Sequence, residues 1–445
     1  MADKAGKKDK RQFLHWFYPG IRIKRYIVIS ALGVIVASLA LAIFVLLAST
    51  SIDQDNMAFL LKSLTNFIHP WIAFIFALIL FVLGIYLVVL GVQKALQHTF
   101  GAITVADLGE VANEFYKKTI LAQGPEVVVI GGGTGLATLL RGLKDYTSNI
   151  TAIVTAADDG GSSGRIKKEW GLVPPGDIRS CLLALAETEP LMKALFDYRF
   201  QSGEGLEGHN FGNLFILAMS EVTGDFETAV EQFSRVLKVR GQVVASTLDN
   251  VNLKAIYENG HEVLGESVIG KKGEKIKQVE LEPKNCKVNK KAIEAIERAE
   301  LIILGPGSLY TSIIPNLLVP GLVEAIQKKQ VPVYYIVNVM TEPGETDNYT
   351  AFDHVKAILD QTNVENFIDY VFVNTGGFDG TLKERYKKQG AFPVEIDQRK
   401  LENLGVKVVL QRLANSNDMA RHDSDKLASV VMSLYAQTAN KSTRS

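Results

Sequence analysis

The amino-acid sequence predicts an α/β fold: a doubly wound, mostly parallel sheet with a small β insertion, preceded by a transmembrane hairpin of two helices. Three observations support this prediction. After residue 125, short and continuously apolar runs alternate with helical patterns, as in parallel strands that helices cover on both faces. Residues 241–283 depart from this alternation and hold short strand-like runs. Two uncharged apolar runs precede the alternation.

The N-terminal hundred residues predict the membrane hairpin. Residues 27–47 and 71–92 are runs of 21 and 22 residues without a charged side chain. At about 1.5 Å per residue, each helix spans roughly the 30 Å hydrocarbon core of a bilayer. Eight Lys or Arg residues precede the first run, whereas the loop from 49 to 69 holds only Lys62. The positive-inside rule therefore predicts a plasma-membrane protein with two spans, whose N-terminus and globular part are cytoplasmic.

Charge is divided unevenly along the chain, although the net charge is zero. Residues 1–100 carry a net charge of +6 and the remainder carries −6. The basic segment is expected to contact anionic membrane lipid, and the acidic remainder argues against nucleic-acid binding. The two cysteines, Cys181 and Cys286, indicate no disulfide framework and fit a reducing compartment.

The prediction divides the chain into a membrane hairpin (1–100), a helical linker (101–124) and a nucleotide-binding domain (125–445). A C-terminal helix is expected over 424–435, and residues 438–445 are expected to be disordered. The strand candidates of the main sheet are EVVVI (126–130), ITAIVT (150–155), LIILG (301–305), VPVYYIVN (331–338) and FIDYVFVN (367–374). QVVAST (242–247) is assigned to the antiparallel insertion, together with two later runs.

The first candidate site motif is a glycine loop between the first strand and a helix. It consists of Gly131, Gly132, Gly133, Thr134 and Gly135. Backbone N–H groups of such a loop and the helix N-terminus can hold a phosphate. The dinucleotide fingerprint is imperfect, because Leu136 occupies the third glycine position. A tight turn without a ligand is the alternative.

A second polar loop follows the second strand candidate and places two carboxylates at its start. Asp158 and Asp159 are candidates for holding ribose hydroxyls or Mg²⁺, and a capping role for one of them is the alternative. The glycine-rich stretch that follows is interpreted as a flexible loop. Its candidate phosphate or sugar ligands are Gly160, Ser162, Ser163 and Arg165.

Two further motifs are ambiguous between structure and binding. In Pro174-Pro175-Gly176-Asp177-Ile178-Arg179, Asp177 and Arg179 are candidate ligand contacts, but Asp177 is equally an N-cap for the helix that follows. His209 lies in a polar glycine turn and is a candidate general acid/base or phosphate donor. Asn213, shortly after it, is a candidate ligand contact and helix cap.

Two later loops also follow strand candidates. Gly305, Gly307, Ser308 and Thr311 form a second phosphate-type loop, and Asn338 opens a third polar loop that contains MTEPGET. The carboxyl ends of parallel strands lie at one edge of a sheet, so these loops should converge on one crevice. The sequence contains no P-loop, no G-x-S-x-G, no H-E-x-x-H and no Cys/His metal spacing, so it offers no evident covalent nucleophile.

Taken together, the motifs GGGTGL, DDGGSSGR, PPGDIRSCLLALAE, HNFGNL, GPGSLYTSIIPNLL and MTEPGET occur in this order over residues 125–425. They resemble the bacterial gluconeogenesis or morphogenesis factors of the YvcK type, within the CofD-like superfamily of 2-phospho-L-lactate transferase. The resemblance implies a Rossmann-like core that binds a UDP-sugar such as UDP-N-acetylglucosamine, and a role in cell shape and peptidoglycan synthesis during gluconeogenic growth. It also implies a catalytic role for Asp159, because the transferase places its deazaflavin substrate near an acid at that strand end.

The hypothesis from the sequence is a membrane-tethered, cytoplasmic, UDP-sugar-binding factor. One alternative is a Mg²⁺-dependent transferase that uses a nucleotide diphosphate donor, with Asp159 and His209 as catalytic residues and Asp158 and Asp159 as metal ligands. Another is a scaffold that recruits cell-wall synthesis enzymes and senses the ligand. A homo-oligomer is compatible with each of these hypotheses. Residues 1–100 depart from most relatives, which are similar to the soluble part alone.

Overall fold

The computed structural model describes residues 23–49, 70–100, 119–187, 190–415 and 420–442. The chain forms two compact units, Met1–Lys117 and Lys118–Ser445. The division lies inside the linker expected over 101–124. Most of that linker, 101–118, is outside the described residues, while 119–122 are helical.

The first unit contains two long apolar helices that pack against each other as the predicted hairpin. They are α1 (Ile23–Ser49) and α2 (Pro70–Phe100). Within them, Arg25–Val45 and Trp71–Ala95 are long and apolar enough to cross a membrane. A Cβ atom added to Gly33 would lie 2.7 Å from the Gly84 carbonyl oxygen, and one added to Gly84 would lie 2.6 Å from the Ala37 nitrogen. Such close backbone packing at small residues is typical of membrane helices.

The second unit is the predicted α/β fold, with a seven-stranded sheet flanked by helices. Its strands are β1 (Val127–Gly131), β2 (Ile150–Val154), β3 (Gln242–Ala245), β4 (Asn252–Tyr257), β5 (Glu262–Leu264), β6 (Ile276–Glu282), β7 (Leu301–Leu304), β8 (Val333–Ile336), β9 (Tyr370–Asn374), β10 (Lys407–Gln411), β11 (Ala414–Asn415) and β12 (Arg421–His422).

Helices connect these strands, and one π-helical turn, Leu309–Ile313, follows β7. The helices are α3 (Gly133–Leu143), α4 (Gly161–Trp170), α5 (Pro175–Leu185), α6 (Pro190–Asp197), α7 (Phe211–Thr223), α8 (Phe226–Val236), α9 (Glu266–Ile269), α10 (Lys290–Arg298), α11 (Ile314–Leu317), α12 (Leu322–Lys329), α13 (Ala351–Thr362), α14 (Gly380–Lys388), α15 (Gln398–Asn403) and α16 (Ser424–Ser442).

The main sheet is entirely parallel, in the order β10-β9-β8-β7-β1-β2-β3. Every residue of β1, β2, β7 and β8 is buried, which explains why these runs are continuously apolar. The chain moves from β1 through β2 to β3 on one side and later continues on the other side with β7. The order therefore reverses between β1 and β7, and ligands of such sheets bind outside the carboxyl ends of the strands at this switch point.

The predicted β insertion is confirmed as a three-stranded antiparallel sheet, β5-β4-β6. Its central strand alternates between half-buried and buried residues, as expected when one face of a sheet packs on a core. The assignment of QVVAST to this insertion was wrong. Residues 242–245 form β3, the edge strand of the parallel sheet beside β2, and three of the four are buried.

Three other sequence-based expectations were wrong. The glycine-rich stretch after Asp159 is not a loop, because α4 begins at Gly161. The C-terminal helix continues to Ser442, through part of the segment expected to be disordered. Strand β10 was missed because only three apolar residues lie between its polar ends, and none of the five is fully buried at this sheet edge.

Candidate functional site

The glycine loop after β1 is packed too tightly for side chains. A Cβ atom added to Gly132 would lie 2.5 Å from Asp177 Oδ2, and one added to Gly135 would lie 2.7 Å from the Pro306 carbonyl oxygen. Gly133 has a φ of +63°, which favours glycine. Helix α3 begins at Gly133 and is supported at its other end by α16, since a Cβ on Gly142 would lie 2.7 Å from Ala428 Cβ.

The second glycine loop lies against the first and is held by the loop after β8. Gly307 N donates a hydrogen bond to Asn338 Oδ1 (3.2 Å). The Ser308 hydroxyl donates to Glu342 Oε1 (3.0 Å). Asn316 Nδ2 donates to the Gly131 carbonyl oxygen (2.8 Å) and so ties α11, which follows the π-helical turn, to the end of β1. The predicted convergence of these loops at one edge of the sheet is thus present in the structure.

A cavity of about 420 Å³ opens beside the two glycine loops. Seven of the sequence-predicted site residues line it: Gly132, Gly133, Thr134, Gly135, Gly307, Ser308 and Asn338. Its other wall contains residues that the sequence analysis did not select: Met340, Glu342, Tyr386, Gln389, Arg421 and His422. We call this cavity the cleft.

Four of the missed wall residues, Tyr386, Gln389, Arg421 and His422, come from elements without a local signal. Glu342 lies in the MTEPGET segment, whose polar character was noted. Tyr386 lies on α14, and its hydroxyl accepts a hydrogen bond from Ala420 N (3.1 Å). This contact connects α14 to the short β11–β12 hairpin that carries Arg421 and His422. It is the packing of α14 against the β11–β12 hairpin that places Tyr386, Arg421 and His422 in the lining of the cleft.

Near the first glycine loop lies a group of carboxylates from the loop after β2, the first turn of α5 and the β insertion. We call Asp158, Asp177 and Glu266 the acidic cluster. Burial raises the pKa of Asp158, while the Gly160 N–H and the Ser163 hydroxyl oppose this by donating to it. Burial and the neighbouring Asp158 raise the pKa of Asp177 to about 7. Burial, followed by Asp158 and Asp177, raises the pKa of Glu266 to about 8.

Asp177 has a different role from the predicted helix cap. The N-cap of α5 is Pro174, and Asp177 lies in the first turn. Its carboxylate accepts a hydrogen bond from Gly133 N, one of the donors that the sequence assigned to phosphate. An internal carboxylate thus lies at the N-terminus of α3, where anions are stabilised.

Asp159 is directed toward the β insertion. Its Oδ1 accepts a hydrogen bond from Ser267 N (2.8 Å) in the first turn of α9. The buried Lys167 makes a second connection, because its Nζ donates to the Val251 carbonyl oxygen (2.5 Å) just before β4. Burial lowers the pKa of Lys167. Asp158 and Asp159 therefore hold separate partners, Gly160 and Ser267.

The remaining predicted residues form polar links between helices and do not line the cleft. Ser162 Oγ lies 3.1 Å from His209 Nδ1 and accepts from Asn210 N (3.2 Å). Burial, followed by Arg165, lowers the pKa of His209. Arg165 donates to the Glu207 carbonyl oxygen (2.9 Å).

Helix α7 shows the same structural use of predicted residues. The N-cap of α7 is Asn210, whose side chain accepts from Asn213 N, so Asn213 is not the cap. Asn213 Nδ2 instead donates to Ser163 Oγ (3.4 Å). Arg179 forms an ion pair with Asp197. Thr311 donates to Glu345 Oε1 (3.3 Å), and Gly305 adopts a φ of +77° at the end of β7.

The residues fit Mg²⁺ only in part. Within the described residues, no group of three or more His, Cys, Asp or Glu side chains is arranged to hold a metal ion. Burial, followed by the nearby Asp158, raises the pKa of Asp177, so Asp158 adds to the cost of ionising Asp177. Mg²⁺ commonly takes one or two carboxylates and completes its shell with substrate phosphates and water. A cation here would need such oxygens from the ligand.

Comparison with known proteins identifies the family. The model of the family described as 2-phospho-L-lactate transferase CofD matches residues 127–414. A gluconeogenesis factor of Bacillus subtilis is 48% identical over 71% of this chain and all of the relative. The chain belongs to the gluconeogenesis-factor family, within the CofD-like superfamily. A crystal structure of a Bacillus halodurans protein, with 48% identity and a TM-score of 0.68, covers 69% of this chain and 99% of that one.

The N-terminal segment is shared with some members of the family. A putative gluconeogenesis factor of Nostoc is 45% identical over 95% of this chain and 93% of the relative. One from Clostridium acetobutylicum is 41% identical over 95% of this chain and 91% of the relative. Both alignments must reach into residues 1–100, whereas the Bacillus subtilis relative matches a shorter part.

Proposed function

We propose that this chain is a membrane-tethered factor that binds a UDP-sugar in the cleft, on the cytoplasmic side. The observation that carries the proposal is the cleft itself. It lies at the switch point of a parallel sheet, beside two glycine loops and the N-terminus of α3. Sites of this kind hold the diphosphate of nucleotides.

The walls of the cleft suit the rest of such a ligand. Among the lining residues that the structure describes, Arg421 is the only Lys or Arg. Its guanidinium can pair with phosphate in a bidentate manner. Tyr386 and Met340 supply apolar surface on which a base can stack. Uracil is the base that the family resemblance suggests; the geometry alone admits other nucleotides.

Calorimetric titration of the full chain in detergent with UDP-N-acetylglucosamine tests the proposal. We expect saturable binding that Arg421→Ala weakens about tenfold or more, the loss of one charge-assisted contact. Arg412→Ala is the matched control, because Arg412 follows β10 outside the cleft. No heat from folded protein at millimolar ligand would contradict the proposal.

The location is proposed from the hairpin and the charge pattern. The helices satisfy the length and composition of two spans, and the basic N-terminus argues for a cytoplasmic orientation. Impermeant thiol labelling in intact cells, at a cysteine introduced near residue 55 or near the C-terminus, tests the orientation. Labelling is expected at the first position only, and labelling at the C-terminal position would reverse the assignment.

A role in cell shape and peptidoglycan synthesis follows from the family resemblance. Deletion followed by complementation with wild-type protein or Arg421→Ala, during growth on a gluconeogenic carbon source, tests whether ligand binding matters for it. A pull-down of cell-wall enzymes with and without the UDP-sugar tests the scaffold alternative. Identical partners in both conditions would argue against ligand sensing.

The CofD family match favours one second candidate, a Mg²⁺-dependent transferase that uses a nucleotide diphosphate donor. In this candidate, Asp158 and Asp159 would supply the charge that positions a cation between carboxylate and phosphate. Turnover of such a donor that disappears in both Asp158→Asn and Asp159→Asn would support this candidate. Turnover that survives both changes would exclude these two carboxylates as the site.

A further inference from the structure

Two buried polar atoms at the wall of the cleft lack a hydrogen-bond partner within the described chain. They are Glu342 Oε2 and His422 Nε2. A buried polar atom without a partner costs about 1–3 kcal/mol, so such atoms in a native structure call for an explanation. Both residues line the same cavity, which suggests that a ligand completes both.

One carboxylate oxygen of Glu342 is held by hydrogen bonds, and the other is buried without a partner in the described chain. Its Oε1 accepts from the Ser308 hydroxyl (3.0 Å) and from Asn338 Nδ2 (3.2 Å). Its backbone N–H donates to Thr346 Oγ1 (2.8 Å). Burial raises the pKa of Glu342. A partner for Oε2 must therefore suit a carboxylate oxygen that accepts or, when protonated, donates.

His422 imposes a stricter requirement. Its ring donates to the backbone of Val337, and burial lowers its pKa to about 4. The ring is therefore neutral at physiological pH, with its proton on the nitrogen that faces Val337. Because Nε2 is the nitrogen without a partner, it carries a lone pair and can only accept a hydrogen bond.

A hydroxyl group satisfies both requirements. A phosphate oxygen only accepts and so cannot serve His422 Nε2, whereas a group that both donates and accepts can serve His422 Nε2 and also Glu342 Oε2 in either protonation state. A hydroxyl donates and accepts. We propose that Glu342 and His422 bind hydroxyl groups of the ligand's sugar and so select a glycosylated or ribosylated diphosphate; this inference rests on the proposed function of the same cleft.

Calorimetry on the full chain in detergent tests the proposal with three ligands: UDP-N-acetylglucosamine, UDP and 2′,3′-dideoxy-UDP. Glu342→Ala and His422→Phe are each expected to weaken UDP-N-acetylglucosamine about tenfold. Glu342→Gln keeps a polar partner for a hydroxyl and is expected to weaken it much less. Glu345→Ala and His354→Phe are matched controls: both residues lie outside the cleft lining, and His354 Nε2 is likewise buried without a partner.

The ligands separate the two sugars. Unchanged UDP binding in the variants assigns the hydroxyls to the hexose. Weaker UDP binding with unchanged 2′,3′-dideoxy-UDP binding assigns them to the ribose. Either result supports the proposal. It is overturned if the variants weaken all three ligands equally, weaken none, or behave like the controls. The proposal is also overturned if wild-type protein binds the three ligands equally well, although nucleotide binding in the cleft would then still stand. If wild-type protein binds none of the ligands, both this proposal and the proposed function are wrong.

Discussion

Replacing Asp177 with Asn should stabilise the protein, increasingly so as the pH rises. The carboxylate of Asp177 is held against Gly132 and Gly133, with Asp158 nearby. Its pKa is raised from 3.8 to about 7, so the unfolded chain releases this proton at lower pH than the folded chain does. Folding then requires proton uptake, and stability falls as the pH rises between these two values.

The magnitude follows from the two pKa values. At about 1.36 kcal/mol per pH unit, this difference corresponds to about 4 kcal/mol at most. Relaxation of Asp158 and screening reduce it, and we expect about 2 kcal/mol. The Asn side chain is nearly isosteric and its oxygen can still accept from Gly133 N. The stabilisation of Asp177→Asn should therefore be close to zero near pH 4 and complete above pH 7.

Thermal unfolding of the full chain in detergent, with a chelator present, measures this difference over pH 4–8. Asp225→Asn is the control of opposite sign, because Asp225 caps α8, and hydrogen bonds from Thr228 lower its pKa. Its contribution is present above the unfolded pKa and disappears as the pH falls. A pH-independent effect of Asp177→Asn, or destabilisation at pH 8, would refute the assigned electrostatic environment.

Three further predictions concern backbone packing and capping. Gly135→Ala should destabilise the second unit by about 1–3 kcal/mol, because the added Cβ meets Pro306, and it should abolish ligand binding in the cleft. Gly380→Ala is the control, because nothing lies within 4 Å of a Cβ added there. It should change neither the thermal unfolding nor the ligand binding measured by calorimetry. Gly84→Leu should separate α1 from α2, because even a Cβ atom at this position would lie 2.6 Å from the Ala37 nitrogen. Cysteine cross-linking between the two helices should therefore fall, and unchanged cross-linking would contradict the observed packing. Asp225→Ala should cost about 1 kcal/mol at neutral pH, and equal stability would remove its capping role.

The sheet was predictable because its interior strands are buried on both faces and therefore read as uninterrupted apolar runs. Edge strands carry less of this signal. Strand β3 was assigned to the wrong sheet because four residues do not distinguish a parallel edge from a short hairpin strand, and β10 was not found. The first turn of α4 was taken for a loop, since glycine and serine are poor helix formers in isolation; tertiary contacts override that preference here.

The site was predictable on one wall only. Glycine loops follow strands directly, so their place at the sheet edge follows from topology. The opposite wall, with Tyr386 and Arg421, depends on how α14 and the β11–β12 hairpin fold back, and no local pattern encodes that. Ser162, Arg165 and Arg179 were chosen as polar residues in glycine-rich segments, but they satisfy neighbouring backbone or side-chain groups inside the fold.

The support of α3 by α16 has a consequence for how the site forms. Helix α3 begins in the glycine loop at Gly133, and its partner α16 begins at Ser424. Almost the whole second unit must therefore leave the ribosome before these two helices can pack together. Contacts of such large sequence separation form late. A nascent or C-terminally shortened chain would hold the glycine loops without their backing helix, and loss of the last helix should abolish ligand binding although no residue of α16 lines the cleft.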